Sequence, residues 1–185
     1  MYRFTEKAVM EQGNEDFKIL TDYILSIKFM QGFDFIDFID FDSIEDWAIQ
    51  LINLGCENEA LYTLAAFYKP INPDEIMPYL KRTFLELNLK EKEGDEAEIC
   101  YARYHLAKVV KGEDVKTNLY YAIPFCDGDG RKSHPETELN FGVLSEIWLD
   151  MKYDSDYWYR GVNISNIEQK VIEKAKWWLK NNPIN

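Results

Sequence analysis

Two histidines and three cysteines in 185 residues leave little from which to build a metal centre or an activated nucleophile. His105 and His134 stand alone, with no His-x-x-x-His or Glu-x-x-His pair to aim two ligands from one helix face. Cys56, Cys100 and Cys126 are odd in number and widely spaced, and no C-x-x-C occurs. They read as reduced, buried thiols of a cytoplasmic protein rather than a disulfide framework. No run approaches the ~18 apolar residues of a membrane helix, and Glu6 and Lys7 stand where a signal peptide would begin its apolar core. A Gly-x-Ser-x-Gly elbow, a phosphate-cradling Gly-rich loop with its Lys and a dinucleotide fingerprint are all missing. The sequence therefore offers no cofactor site and no metal site.

Basic residues are scarce in one stretch above all. Residues 29 to 68 hold no Lys or Arg and eight Asp and Glu, against four bases and five acids in residues 1 to 28 and seventeen bases and twenty acids from 69 onward. Two thirds of the net charge of −12 thus lies in forty residues. That region repels a phosphate backbone, which argues against nucleic acid as a partner and for a protein with a basic surface.

What is present is helical periodicity. A chain of this length buries about 70% of its unfolded surface, so one all-α domain over residues 1–185 is expected. From Glu15, Phe17, Leu20, Ile24 and Ile27 predict a helix stopping at Gly32. Ser43 with Asp46 three residues on predicts an N-cap, and Ile44, Trp47, Ala48 and Leu51 its buried stripe, closed by Gly55. A second helix over 58–68 would bury Leu61, Leu64, Ala65 and Tyr68 and end at Pro70. Asn72 and Pro73 open a third, in which Pro78 imposes either a kink or a later start near Met77. Further helices are expected over 95–111, over 115–123 ending at Pro124, from Pro135, and from a capping box of Ser165 and Glu168. Short turns between them predict antiparallel hairpins packed in an α-solenoid or superhelix-like manner, although no fixed repeat is present.

Three segments are candidates for function. The repeat at Asp34-Phe35, Asp37-Phe38 and Asp40-Phe41, continuing to Asp42, has a period of three. It is either a linker tucking its rings beneath the first hairpin or an exposed acidic-aromatic strip that docks a basic protein. Tyr157, Trp158 and Arg160, beside Tyr153 and Tyr159, have the composition of an interface hot spot, or else cover the joint between the last two helices. The loop from Asp127 to His134 supplies the one plausible general base, His134, for a hydrolase-type enzyme. Asp127, Asp129 and Glu138 fit positions 1, 3 and 12 of a calcium loop, but Arg131 and Lys132 stand where a ligand and a Gly are needed.

Asp46-Trp47-Ala48, Gly55, Leu61, Leu64-Ala65, Pro70, Asn72, Glu75-Ile76 and Glu86-Leu87 together resemble the pattern of an uncharacterised family of bacterial all-helical proteins. The match spans about a quarter of the chain and consists of packing and capping residues. It implies a bacterial helical protein and carries no catalytic residue. The expectation is an acidic, non-enzymatic interaction module of the bacterial cytoplasm, with a toxin-neutralising immunity protein as one form. A hydrolase using the Asp127 loop and a self-associating scaffold are the alternatives.

Overall fold

The computed structural model describes residues 14–34, 36, 38–126, 140–151 and 160–184. Among them are eight helices and no strand, so the protein is all-α. The chain divides into two compact units, Met1–Ala97 and Glu98–Asn185.

Unit 1 holds α1 (Glu15–Met30), α2 (Ser43–Asn53), α3 (Glu59–Leu64), α4 (Pro73–Leu87) and the first turn of α5 (Gly94–Lys111). Asn14 caps α1 by accepting from the Phe17 N–H at 2.9 Å, ahead of Glu15 and Asp16 at the positive end of the helix dipole. Every residue of α1 from Thr21 to Ile27 is buried, which a single apolar stripe would not require. Its polar atoms are satisfied locally or across the core. Thr21 Oγ1 donates to the Phe17 carbonyl at 2.9 Å and accepts from Trp47 Nε1 at 3.1 Å, while Ser26 Oγ donates to the Tyr23 carbonyl. Trp47 is fully buried and meets Phe84 edge-on at 6.0 Å, so one side chain ties α2 to both α1 and α4.

The predicted α2 stripe of Ile44, Trp47, Ala48 and Leu51 is fully buried, and Gly55 turns the chain at φ 88°. The cap differs from expectation. Ser43 is already helical, and its hydroxyl donates to the Asp40 carbonyl at 2.7 Å. The next helix is shorter than predicted. Asn58 caps α3, accepting from the Leu61 N–H, but α3 ends at Leu64 rather than reaching Tyr68. Ala66 and Phe67 bond to the carbonyls three residues back, a tightening that ends the helix ahead of Lys69-Pro70. Tyr68 therefore leaves the buried stripe and is 92% exposed. Pro78 lies inside α4 without ending it. The bond it forfeits, to the Asp74 carbonyl, lies early in the helix, and Pro78 itself faces outward. Asn88 closes α4 in the left-handed conformation at φ 54°, with the Leu89 N–H reaching back to the Phe84 carbonyl at 2.8 Å.

Unit 2 holds the rest of α5 with α6 (Val115–Cys126), α7 (Phe141–Asp150) and α8 (Ile167–Asn181). Pro124 does not stop α6 as predicted. Phe125 and Cys126 are buried, and the Cys126 carbonyl accepts from Trp178 Nε1 at 3.0 Å, so tertiary contacts hold the last turn. Among the described residues α7 begins at Phe141, where Asn140 provides the cap by accepting from the Val143 N–H at 2.8 Å. Pro135, the expected start, lies outside the described residues. Ser165 and Glu168 do not form a capping box. Ser165 Oγ donates to Asn163 Oδ1 at 2.6 Å, and Asn166 Nδ2 donates to the Gly161 carbonyl, so an asparagine knot leads into α8. Within each unit the closest packing links chain neighbours: α1 with α2, α2 with α3, α3 with α4, and then α6 with α7 and α7 with α8.

Candidate functional site

The division into units sharpens the charge distribution. Residues 1–97 carry 9 Lys and Arg against 20 Asp and Glu, net −11, and residues 98–185 carry 12 against 13, net −1, together the −12 of the chain. Almost the whole imbalance belongs to unit 1.

Of the predicted Asp-Phe strip, the described residues divide between structural contacts and the surface. Asp40 and Asp42 do structural work. The Asp40 N–H donates to the Tyr23 hydroxyl at 2.7 Å, and its Oδ1 accepts from the Ser43 N–H at 3.2 Å. Asp42 Oδ1 accepts from the Ile71 N–H at 2.7 Å, clamping the segment ahead of α4 onto the start of α2. Asp34 is exposed and Phe38 is 39% exposed, so these two remain at the surface. Phe35 and Asp37 lie outside the described residues. In unit 2, Arg160 is exposed in a left-handed turn at φ 49°, whereas Tyr157 and Trp158 also lie outside the described residues. The same holds for the Asp127 to His134 loop.

Bases from elsewhere in unit 1 fold back onto its acids, and three of them are each shared by two carboxylates. Lys69 Nζ lies 2.8 Å from Asp46 and 3.2 Å from Glu45. Arg82 lies 3.1 Å from Glu59 and 2.7 Å from Glu86. Lys92 meets Asp22 at 3.3 Å, with both side chains nearly buried, and also Glu96. Each triad retains one negative charge, so pairing orders the acids without cancelling them. The hydrogen bond to Asp46 raises the Lys69 pKa, against the pull of desolvation and with help from Glu45. Hydrogen bonds to Glu86 and then Glu59 do the same for Arg82. Glu57 is exposed and belongs to none of these triads.

Aromatic side chains lie beside two of the triads. Phe67 and Tyr79 meet edge-on, with ring centroids 5.9 Å apart. Tyr62 follows Glu59 by one turn of α3, and Tyr79 precedes Arg82 by one turn of α4. The Glu59–Arg82 contact therefore sets both tyrosines on the same side of the helix pair. Tyr62 is 49% exposed and Tyr79 39%. Sequence reasoning missed this surface because the Phe67–Tyr79 contact joins two different elements. The legible signal was the cluster Tyr62, Phe67, Tyr68 between an acidic turn and a proline.

A groove of about 340 Å³ opens at the end of α1, lined by Lys28, Phe29, Gly32, Phe33, Glu91, Lys92 and Glu93. Lys28 meets Glu91 at 2.7 Å, a bond that raises the Lys28 pKa, and the Lys92 N–H donates to the Leu25 carbonyl. These contacts fasten the segment after α4 across α1.

Unit 2 uses its polar groups inwardly. His105 is fully buried. Its Nδ1 lies 2.9 Å from Asn118 Oδ1, ringed by Tyr101, Tyr104 and Tyr121. Asn118 Nδ2 donates to the Glu113 and Asp114 carbonyls, which orients the amide oxygen toward the imidazole and makes Nδ1 the donor. Arg103 Nη1 donates to the Leu179 and Asn182 carbonyls at 2.8 Å, closing the end of α8. Cys56, Cys100 and Cys126 are buried free thiols, and burial pushes the Cys56 pKa up to about 11. Among the described residues no group of three His, Cys, Asp or Glu side chains could hold a metal ion, and no helix is long and apolar enough to cross a membrane.

No family model matches the chain, and neither the curated proteins nor the solved structures contain a match to it, so the family-like pattern around Asp46-Trp47-Ala48 rests on its packing and capping residues alone.

Proposed function

We propose that the protein is a non-enzymatic interaction module of the bacterial cytoplasm whose acidic unit 1 engages a basic surface on a protein partner. Neutralisation of a toxin, in the manner of an immunity protein, is its most specific form. The observation that carries this reading is the confinement of the net charge of −11 to unit 1, held in place by cations that are each shared between two carboxylates. Such a surface steers a basic partner and repels nucleic acid. The buried free thiols support a reducing compartment. Helices packed on their chain neighbours support the solenoid-like arrangement of hairpins expected of a binding surface.

Capture of partners from the native host with the tagged chain tests the reading. Replacing Asp46, Glu57 and Glu59 with Asn, Gln and Gln should release the captured partner, and so should raising salt to about 0.5 M. A partner held equally by the substituted chain, and retained at that salt, contradicts the proposal.

A further inference from the structure

We propose that the aromatic surface of α3 and α4, formed by Tyr62, Phe67 and Tyr79, is the docking site for a partner segment with basic side chains on both sides of an apolar anchor. This rests on the reading of unit 1 as an acidic interaction module. Lys69 follows Phe67 by two residues and Arg82 follows Tyr79 by one helical turn, so each end of the aromatic strip adjoins a triad that retains one negative charge. Rings that are half exposed supply contact area with few rotatable bonds, the property that makes Tyr a frequent anchor at interfaces. The triads give the surface its charge complementarity. Asp46 and Glu59 are solvent-exposed, and an incoming guanidinium can take over that carboxylate of each triad while the resident cation keeps the other. The groove beside Phe29 and Phe33 lacks this polarity, because Lys28 and Lys92 share its rim with Glu91 and Glu93.

The test is fluorescence anisotropy on the full chain at low salt, with a labelled synthetic peptide in which two Arg pairs flank a Leu-Trp-Leu anchor. The double variant Tyr62→Ser with Tyr79→Ser should weaken binding by about tenfold or more, whereas Tyr120→Ser, on an exposed ring of unit 2, should leave it unchanged. A peptide with Glu in place of Arg should not bind. Circular dichroism melts show whether the double variant folds. If it does not, the single variants Tyr62→Ser and Tyr79→Ser replace it and should each weaken binding. Arg-peptide binding that survives these variants but is lost when Asp46, Glu57 and Glu59 are neutralised would overturn the docking site and leave the acidic module standing. No binding of the Arg peptide at all would overturn both. Concentration-dependent self-association abolished by Tyr62→Ser, without peptide binding, would overturn the proposal in favour of a second copy of this chain.

Discussion

The Asp22–Lys92 pair aside, unit 1 buries hydroxyls, those of Thr21, Ser26, Ser43 and Thr83, and keeps its other described charges outside; unit 2 takes Arg103, His105, Lys174, Asn118 and Asn182 into its interior. These buried polar groups of unit 2 are committed to its own fold: Arg103 closes α8, Asn118 joins the turn before α6 to His105, and the Lys174 ammonium lies 5.2 Å from the centre of the Phe141 ring. Unit 1 is built on Trp47 and apolar packing, which leaves its carboxylates to the surface. The difference teaches that a charge imbalance of −11 can be carried when the core does not depend on it.

The comparison breaks most visibly if the cores are not separate. Trp47→Ala removes the only tryptophan of residues 1–97 and should cost about 4 kcal/mol. Alkylation followed by mass spectrometry should then find Cys56 reactive while Cys100 and Cys126 stay protected. Arg103→Met leaves the Leu179 and Asn182 carbonyls without their charged donor, at about 3 kcal/mol. It should expose Cys100 and Cys126 and spare Cys56; the opposite labelling pattern would erase the distinction.

Within unit 1, Asp42→Ala strands the buried-side Ile71 N–H and should lower stability by about 1–2 kcal/mol in urea unfolding, whereas Asp34→Ala should change nothing. Equal effects would give Asp34 the same structural weight as Asp42. Alkaline pH is a gentler probe. Cys56 is raised from 9.0 to about 11 in the folded chain, so its contribution is complete below pH 9.0 and is lost as pH rises toward 11. Lys69, also raised, keeps its contribution below 10.5 and loses it above. Urea midpoints followed by Trp47 fluorescence in a chain whose other tryptophans are replaced by Phe should fall over that range, and Cys56→Ala should flatten the part between 9.0 and 11. The smallest effect is expected for Arg82→Gln, an exposed triad member whose loss should leave the melting temperature unchanged while tightening the binding of an Arg-flanked peptide.

Where a cap and its helix adjoin in sequence, the fold was legible: Asn72-Pro73 announced α4, and the spacing from Ile44 to Leu51 announced the buried face of α2. Where two local signals competed, the better-placed partner won. Asn163 drew Ser165 away from the α8 cap. Pro124 misled because the contact holding the last turn of α6 comes from Trp178, 52 residues away. The site was less legible for the same reason. Asp42 looked like a surface carboxylate because the Ile71 N–H it accepts from is 29 residues distant, and the Asp40 backbone is held by a tyrosine hydroxyl 17 residues back. Lys69 and Arg82 each pair with an acid 23 residues back, which no local pattern announces.

Backbone amide shifts of the full chain, recorded by NMR while an Arg-flanked apolar peptide is titrated at low salt, test the account most directly. The shifts should concentrate in residues 43–87, the segment from α2 to α4, and fade as salt is added. Shifts centred on α6 to α8, or equal shifts from the Glu-flanked peptide, would contradict it.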